Sequence, residues 1–567
     1  MAKWIIADNS IEIEQELPGV PVSVLKIMKR RGVSESQFAD FLSDTPKNTY
    51  DPFLLPDLKE VCERLLEVCR EGKKICVYGD YDADGVTSTA LMLCLLRLFT
   101  DNLTYYIPSR FDDGYGPNKD AFKRIADDGT QVIVTVDCGI TSREEIEYAQ
   151  GLGIECIITD HHILRDEMTP SCLTVNPHRP DSGYPFSELS GCGVAFKIAQ
   201  GIERICGDMD KSVLNGFLDL VAISTVADVV PLLDENRTLV KYGLDIINRR
   251  QRPGLDALLT ELCLDGPVDA SGISYVIAPN INALGRMGNA SDGVELLAGD
   301  YSDAEFAELA ASIAETNRSR KSVQEETVRI CRAALEKEDT GEYAPVIYAP
   351  GAHEGVAGIV AGSLKEELNK PVCIVSPAAD GTLKGTGRSI PGINLHRLFE
   401  QCGDVFDRFG GHAGACGFTV KKGKLEEFRA RMQELVKEIV EKDPSVLEKS
   451  IYIEKELEPE ELTLSFARAL TKLEPYGEGN PVPLFCIRLA KVTDYRKIGS
   501  ERQHLKFTVR TADGIYLSCI SFWGSEKYYG IVSSGLVDIA GELSINEYRG
   551  RRQLQMKVAD IRESYYD

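Results

Sequence analysis

From Lys73 onward, short apolar runs alternate with segments in which apolar positions recur every three to four residues. KKICVYGD is a β-rich run, and the segment from Gly85 to Phe99 has helical period. LTYYIP (Leu103 to Pro108) predicts a strand, Lys119 to Asp127 a helix, and QVIVTVD (Gln131 to Asp137) a strand. A helix from Ser142 to Gly151 leads into IECIITD, Ile154 to Asp160. Strands that alternate with helices in this way predict an α/β fold with a doubly wound, mostly parallel sheet.

Residues 190–260 are mainly helical in pattern, with LDLVAISTVADVVPLL as their most apolar stretch. A long polar helix follows from Asp303 to about Lys337 and reads as an interdomain connector. A second α/β unit opens at Pro345 with APVIYAP, continues through a helix (Val356 to Asn369) and the strand PVCIVS, and closes near Val440. Beyond Ile451 the alternation shortens: HLKFTVRT, IYLSCISFW and LVDIAGEL, separated by turn residues, predict a small β-barrel. The expected division is an N-terminal segment 1–60, a first α/β domain 61–300, the connecting helix 301–340, a second α/β domain 341–445 and the barrel 446–567. There is no internal repeat or low-complexity tract.

With 567 residues, 43% hydrophobic and 27% charged, the chain has ordinary globular composition and enough material for several cores. Its net charge of −24 argues, taken globally, against a polyanion binder. MAKWIIADNS lacks the basic-then-apolar pattern of a signal peptide, and the best apolar run, Thr89 to Leu96, stops at Arg97. The expectation is a cytoplasmic protein with no membrane association. Sixteen cysteines occur singly, many inside apolar runs (Cys76, Cys94, Cys156, Cys373), and no two are separated by only two residues. Reduced, buried thiols are expected rather than a zinc ribbon or redox pair.

Three predicted strands of the first α/β unit end in the same chemistry. One runs into GDYDADG (Asp80, Asp82, Asp84), the next ends at Asp137, and the third ends in TDHH (Asp160, His161, His162). In a parallel sheet the carboxyl ends share one edge, where ligands bind at the point at which strand order reverses. A single strand-end Asp is usually a cap or turn residue. Three loaded ends and a His pair together point to divalent cations, because clustered ionised carboxylates need compensation. Oxygen and imidazole donors suit Mn²⁺ or Mg²⁺. Two such ions ~3.5–4 Å apart make a phosphoester hydrolysis site, one generating hydroxide and the other stabilising the leaving oxygen.

DYDADG, VDCGI and TDHH, in this order and spacing, resemble the DHH phosphoesterase superfamily. The rest of the chain from about Val61 resembles its RecJ branch, the single-strand-specific 5′→3′ exonucleases. AISTVADVVPL resembles the fourth metal motif and supplies Asp228, NALGRMGNA the segment closing the first domain, and FGGHAGACGF the glycine-rich signature of the DHH-associated domain. The resemblance implies two metal ions, one held by Asp82 and Asp137, the other by Asp84, Asp137, His161 and Asp228, with Asp137 bridging. His162 would face the scissile phosphate, either in the outer shell or as a proton donor to the leaving oxygen. Asp80 either supports the first ion or orders its loop; where related pyrophosphatases carry a His four residues before the first motif Asp, this chain has Tyr78.

For substrate, Arg110, Arg286 and Arg388 are each expected in Gly-rich loops, where a guanidinium fork can reach phosphate and backbone amides can approach it. The resemblance implies that Arg286, Thr386 and Arg388 grip a 5′-terminal phosphate and that Gly410, Gly411 and His412 contact the strand. Two departures bear on these contacts: Ala352 stands where relatives commonly carry Trp before His353, and Gly414 and Cys416 replace a more usual small-residue run. The barrel resembles an OB fold, which binds single strands with a basic groove and stacked aromatics. From Leu484 to Asp567, 13 Lys and Arg stand against 10 Asp and Glu. Tyr495, Phe507, Phe522, Trp523, Tyr548, Arg549, Arg551 and Arg552 are the candidate platforms and charges, the aromatics being equally compatible with barrel core. The function implied is hydrolysis of single-stranded DNA to mononucleotides in repair and recombination. A single-strand-binding protein and a RecQ-type helicase are the expected partners. The rival readings are a phosphodiesterase of short oligonucleotides or cyclic dinucleotides and a non-catalytic DNA-binding replication scaffold.

Overall fold

The computed structural model describes residues 2–565, leaving aside 112, 115, 165–168, 208, 338, 379–380 and 549. The chain forms two compact units, one of residues 50–230 and 242–448, the other of 1–49, 231–241 and 449–567.

In the first unit, β1 (Ile75–Tyr78), β2 (Leu103–Tyr106), β3 (Val132–Val136), β4 (Glu155–Thr159) and β5 (Leu173–Val175) form an all-parallel sheet in the order β2-β1-β3-β4-β5. Strand order reverses between β1 and β3, which opens the crevice such sheets use for ligands. Every residue of β1 and β3 is buried, because helices cover both faces. The register sets Tyr78 opposite Thr135, and Val136 opposite Thr159. The carboxyl ends therefore finish level, and the residues that follow them share one edge. Helix Ala83–Leu96 starts at this edge and is buried at every position but Cys94. Helices Gly191–Cys206 and Leu218–Ala227 pack against it.

The 35-residue helix Asp303–Lys337 leads to a mixed sheet of β6 (Val346–Tyr348), β7 (Val372–Pro377), β8 (Leu383–Arg388), β9 (Phe406–His412) and β10 (Ala415–Val420). Its order is β9-β10-β8-β7-β6, with only β6 and β7 parallel. Phe399, Phe406, Phe418 and Phe428 interlock beneath it.

The second unit is built on a closed five-stranded barrel. Strands Leu484–Ile498, His504–Arg510, Tyr516–Ser521, Arg551–Glu563 and Leu536–Tyr548 pair in that spatial order, and the last returns to the first. The apolar face of the amphipathic helix Val22–Arg30 (Val24, Leu25, Ile27, Met28) joins Phe485, Phe507 and Val537 in one core. The strand Lys3–Ile6 pairs with Ser450–Ile453. The 15-residue strand Leu484–Ile498 has no clean alternation, because its register shifts between Ile487 and Ala490, where Leu489 adopts φ 51°. All sixteen cysteines are free and most are buried, as expected of reduced thiols. No helix among the described residues is long and apolar enough to cross a membrane.

Arg237 shows how this unit is locked. Its guanidinium donates to the carbonyls of Phe41 (3.0 and 3.2 Å), Leu473 (2.9 Å), Lys472 (3.0 Å) and Glu474 (2.7 Å). It also lies 3.8 Å from the centre of the Phe41 ring. Replacing a buried group that satisfies several carbonyls leaves each of them unpaired. Arg237→Met is expected to lower the unit's unfolding free energy by about 3 kcal/mol in a urea titration, and a change below about 0.5 kcal/mol would contradict this role.

Candidate metal centre and phosphate pocket

Asp82 is the N-cap of helix Ala83–Leu96, its Oδ1 accepting from Gly85 N at 3.0 Å. Asp84, in the first turn, is held on both oxygens: Oδ1 accepts from Ser224 Oγ (2.6 Å), Cys192 N (2.9 Å) and Ser88 Oγ (3.1 Å), and Oδ2 from Gly191 N (2.8 Å). Asp137 follows β3 in the left-handed region, φ 59°, a conformation costly for a non-glycine residue and common at working sites. A Cβ at Gly191 would stand 2.6 Å from that of Asp137, so glycine is required there. Asp228 ends helix Leu218–Ala227 and is followed by Val229 at φ 60°, a rare state for a β-branched residue.

His161 lies among these groups. Its Nε2 is 3.1 Å from Asp137 Oδ1, 3.6 Å from Asp228 Oδ2 and 3.7 Å from Asp84 Oδ2. This nitrogen is buried and makes no hydrogen bond, and neither does the buried Oδ1 of Asp80. Three sets of donor atoms each fall within 4.8 Å: Asp80, Asp82 and Asp137; Asp84, His161 and Asp228; Asp137, His161 and His162. The structure thus brings together all seven residues predicted from sequence, Asp80 among them, and Asp137 belongs to two sets.

The electrostatics match a site built for cations. Burial and the neighbouring Asp82 push Asp80 up to about 8. Burial and Asp84 raise Asp82, and burial with Asp84 and Asp82 holds Asp137 well above the carboxylate range. Burial and Asp84 carry Asp228 up to about 7. Removing such repulsion requires positive charge, and oxygen and imidazole donors with no thiolate fit Mn²⁺ or Mg²⁺.

Two residues that hold the site's elements are absent from the predicted set, Asp160 and Asn282. Asp160 Oδ1 contacts His162 Nδ1 at 2.7 Å and accepts from the backbone N–H groups of His161 (2.7 Å) and His162 (3.1 Å), while Oδ2 accepts from Ile140 N (2.9 Å). Burial opposes its charge, but the His162 cation and these hydrogen bonds prevail and bring Asp160 down to about 2. Against its own burial, His162 is raised by Asp160 to about 9. The sequence displays Asp160 at the strand end; only the contact reveals its task. Asn282, whose Oδ1 accepts from Ala83 N at 2.9 Å, was equally hidden, because the two lie 199 residues apart.

Two arginines expected in loops are on regular elements, because each closes one. Arg286 sits in the last turn of helix Ala278–Met287, and Arg388 is the last residue of β8. Arg286 Nη1 donates to Gly355 O (3.3 Å), and Arg388 Nη1 donates to Thr386 Oγ1 (3.0 Å) and Gly387 O (2.9 Å). A Cβ at Gly358 would come within 2.7 Å of Arg388 Nη2, so both guanidiniums gather at the start of helix Glu354–Leu368. Arg110 lies 4.2 Å over the Tyr81 ring and donates to Gly285 O (3.3 Å), which links the pocket to the Asp80–Asp82 segment. Burial and the charge of Arg110 bring Arg286 down to about 10. Gly410, Gly411 and His412 form the exposed end of β9 rather than a tight turn. Gly411 has φ 138°, and His412, Ala415 and Arg388 stand side by side across the sheet. Near Ala352, the Phe111 ring meets His353 edge-on at 5.9 Å and supplies an aromatic contact.

In the barrel unit the aromatics separate. Phe507 is core, whereas Phe522 and Trp523 are 56% and 73% exposed. Both rings flank His504 edge-on, at 5.4 and 5.2 Å, and His504 Nδ1 accepts from Trp523 N at 3.0 Å, holding Trp523 at φ 57°. On adjacent strands Arg496, Lys506 and Lys557 form a row aligned through Ile520, with Lys557 paired to Glu542 at 3.1 Å. Tyr495 packs edge-on against Tyr529, and Arg552 pairs with Glu547. Arg551 is exposed. The Tyr548 side chain and Arg549 lie outside the described residues.

Family models match in chain order: DHH family, N-terminal domain, over residues 74–225; DHHA1 domain over 343–438; and RecJ OB domain over 453–560. The single-stranded-DNA-specific exonuclease RecJ of Bacillus subtilis is 35% identical over 560 residues, 98% of this chain and 69% of that protein. That of Escherichia coli is 35% identical over 574 residues, covering 98% and 97%. The crystal structure of Thermus thermophilus RecJ with Mn²⁺ superimposes with a TM-score of 0.81 at 29% identity, over 96% of this chain and 76% of the other. Its Mg²⁺ complex gives 0.75 at 27%, over 96% and 75%. With its α/β DHH domain, DHHA1 domain and OB barrel in this order, the chain belongs to the RecJ family.

Proposed function

We propose that this chain is a Mn²⁺- or Mg²⁺-dependent exonuclease that hydrolyses single-stranded DNA from the 5′ end to mononucleotides. The observation that carries the reading is His161 Nε2, unpartnered and buried within 3.1–3.7 Å of three carboxylate oxygens at the switch point of the sheet. Asp82 and Asp137, with Asp80, would hold one ion; Asp84, Asp137, His161 and Asp228 would hold the other. When bound, two such ions supply a nucleophile at neutral pH and charge stabilisation at phosphorus. Asp160 fixes the His162 ring and keeps it protonated, so that it offers a proton toward the leaving oxygen. Arg286, Thr386 and Arg388 take the 5′-terminal phosphate, and Arg110 stiffens the wall between that pocket and the metal centre. Gly410, Gly411 and His412 guide the strand. In the barrel, Phe522 and Trp523 stack on bases beside the Arg496–Lys506–Lys557 row. This reading places the enzyme in the cytoplasm, in DNA repair and recombination, with a single-strand-binding protein and a RecQ-type helicase as partners.

A time course on 5′- and 3′-labelled single strands tests the core of this. Mononucleotide release from the 5′ end with Mn²⁺, abolished by EDTA, is expected; short oligonucleotide products or EDTA-resistant cleavage would contradict it. Asp137→Ala should lower the rate at least ~10³-fold. Asp160→Asn should cost roughly 10- to 100-fold while Mn²⁺ binding is retained, and an unchanged rate would remove Asp160 from the mechanism. The chain has two tryptophans, so a Trp4→Phe variant reports Trp523 alone. Oligo-dT in EDTA should quench its fluorescence, and Trp523→Ala should weaken strand binding roughly 5- to 100-fold; no quenching would exclude base stacking at that residue.

A further inference from the structure

The inner face of helix Asp303–Lys337 runs through Phe306, Ala310, Ile313 and Ala314, then turns polar at Asn317 and Arg320 before Thr327 and Cys331, all of them buried. A helix packed by an apolar stripe is thus interrupted near its middle by an arginine only 8% exposed. Arg320 Nε and Nη2 donate to Asn317 Oδ1 (3.1 and 2.7 Å), and Nη1 donates to Gln324 Oε1 (2.5 Å). Both acceptors are neutral amide oxygens. Among the described residues no carboxylate pairs with Arg320, and none pairs with Arg110, Arg286 or Arg388. A chain with 88 Asp and Glu does not lack carboxylates to place there. Burying a cation without its counter-ion is unfavourable; Arg237 meets that cost with four backbone carbonyls, whereas Arg320 has two amide oxygens and lies in the electrostatic range of another guanidinium.

The location accounts for this difference. Helix Asp303–Lys337 packs along helix Ala278–Met287, which ends with Arg286 in its last turn, and against helix Glu354–Leu368, which carries Gly355 and Gly358. The charge of Arg320 reaches Arg286 together with those of Arg110 and Arg388, against which stands the Asp82 charge from the metal centre. Four guanidiniums with neutral partners make a deficit of negative charge that a phosphate dianion fills.

We propose that Arg320 is a positioning residue of the terminal-phosphate pocket: held by Asn317 and Gln324, its buried charge is balanced by the 5′-phosphate seated at Arg286 and Arg388, and it thereby sets the preference for 5′-phosphorylated over 5′-hydroxyl strands. The proposal rests on the reading of Arg286, Thr386 and Arg388 given above.

The test compares kcat/KM on two single strands identical but for a 5′-phosphate or 5′-hydroxyl, at saturating Mn²⁺. Wild type should prefer the phosphate. Arg320→Gln should lower that ratio roughly 5- to 20-fold, chiefly through KM on the phosphorylated strand. Arg320→Lys, which keeps charge but loses the planar fork, should fall roughly 2- to 5-fold. A purely structural role would depress both substrates alike, so an unchanged ratio overturns the proposal however far total activity drops. If only Arg320→Lys folds, its unchanged ratio overturns it equally. If wild type degrades both ends equally well, the terminal-phosphate reading and this proposal fall together while hydrolysis itself stands.

Discussion

Mutual repulsion among buried carboxylates is the constraint around which the first unit is built. Asp80, Asp82, Asp84, Asp137 and Asp228 crowd one edge of a sheet, where four of them are pushed toward protonation by burial and by one another. Among the described residues no arginine or lysine forms an ion pair with them, and Arg110 only tempers the rise of Asp80. The surroundings instead fix the geometry: Ser224, Ser88 and the N–H groups of Gly191 and Cys192 hold Asp84, and Gly191 leaves room for the Asp137 side chain. A site that spends stability on holding like charges together, with a left-handed Asp137 and Val229 besides, is preorganised for divalent cations.

Cations from the protein stand in the neighbouring pocket. Among the described residues Arg110, Arg286, Arg320 and Arg388 form no ion pair with a carboxylate, and no Lys or Arg ion-pairs with the aspartates of the metal centre; the two regions join through Tyr81, which lies between Asp80 and Asp82 and under Arg110. A terminal phosphate in one region and a scissile phosphate in the other would use both imbalances, and on the proposed function their separation sets the product at one nucleotide. The net charge of −24 therefore says little about the substrate. Local placement of opposite deficits decides it, and the acidic remainder is exterior surface that disfavours unspecific polyanion contact.

Much of this was legible in the sequence because α/β order puts strand ends at one edge. Strand-end motifs in GDYDADG, VDCGI and TDHH sufficed to gather the metal residues, and the helix Asp303–Lys337 was visible at its full length. Asp228 became legible only through family resemblance, since an Asp in LVAISTVADVV is indistinguishable by pattern from a cap. What stayed hidden depends on contacts distant in sequence. Asp160 displays a strand-end carboxylate but not its bond to His162, and Arg286 and Arg388 lie on a helix and a strand because flanking glycines mark close packing there rather than loops. In the barrel unit, Phe507 and Trp523 look alike in sequence; alternation buries the first, and a left-handed turn exposes the second. The long strand Leu484–Ile498 escaped because a register shift breaks its period of two.

The most direct measurement of the central claim is a calorimetric Mn²⁺ titration of the metal-free protein. Two ions per chain, competed by Mg²⁺ and both lost when Asp82, Asp84 and Asp228 are replaced together by Asn, is the predicted result. Binding of no ion, or of two ions that persist in the triple variant, would contradict a metal centre at this edge of the sheet.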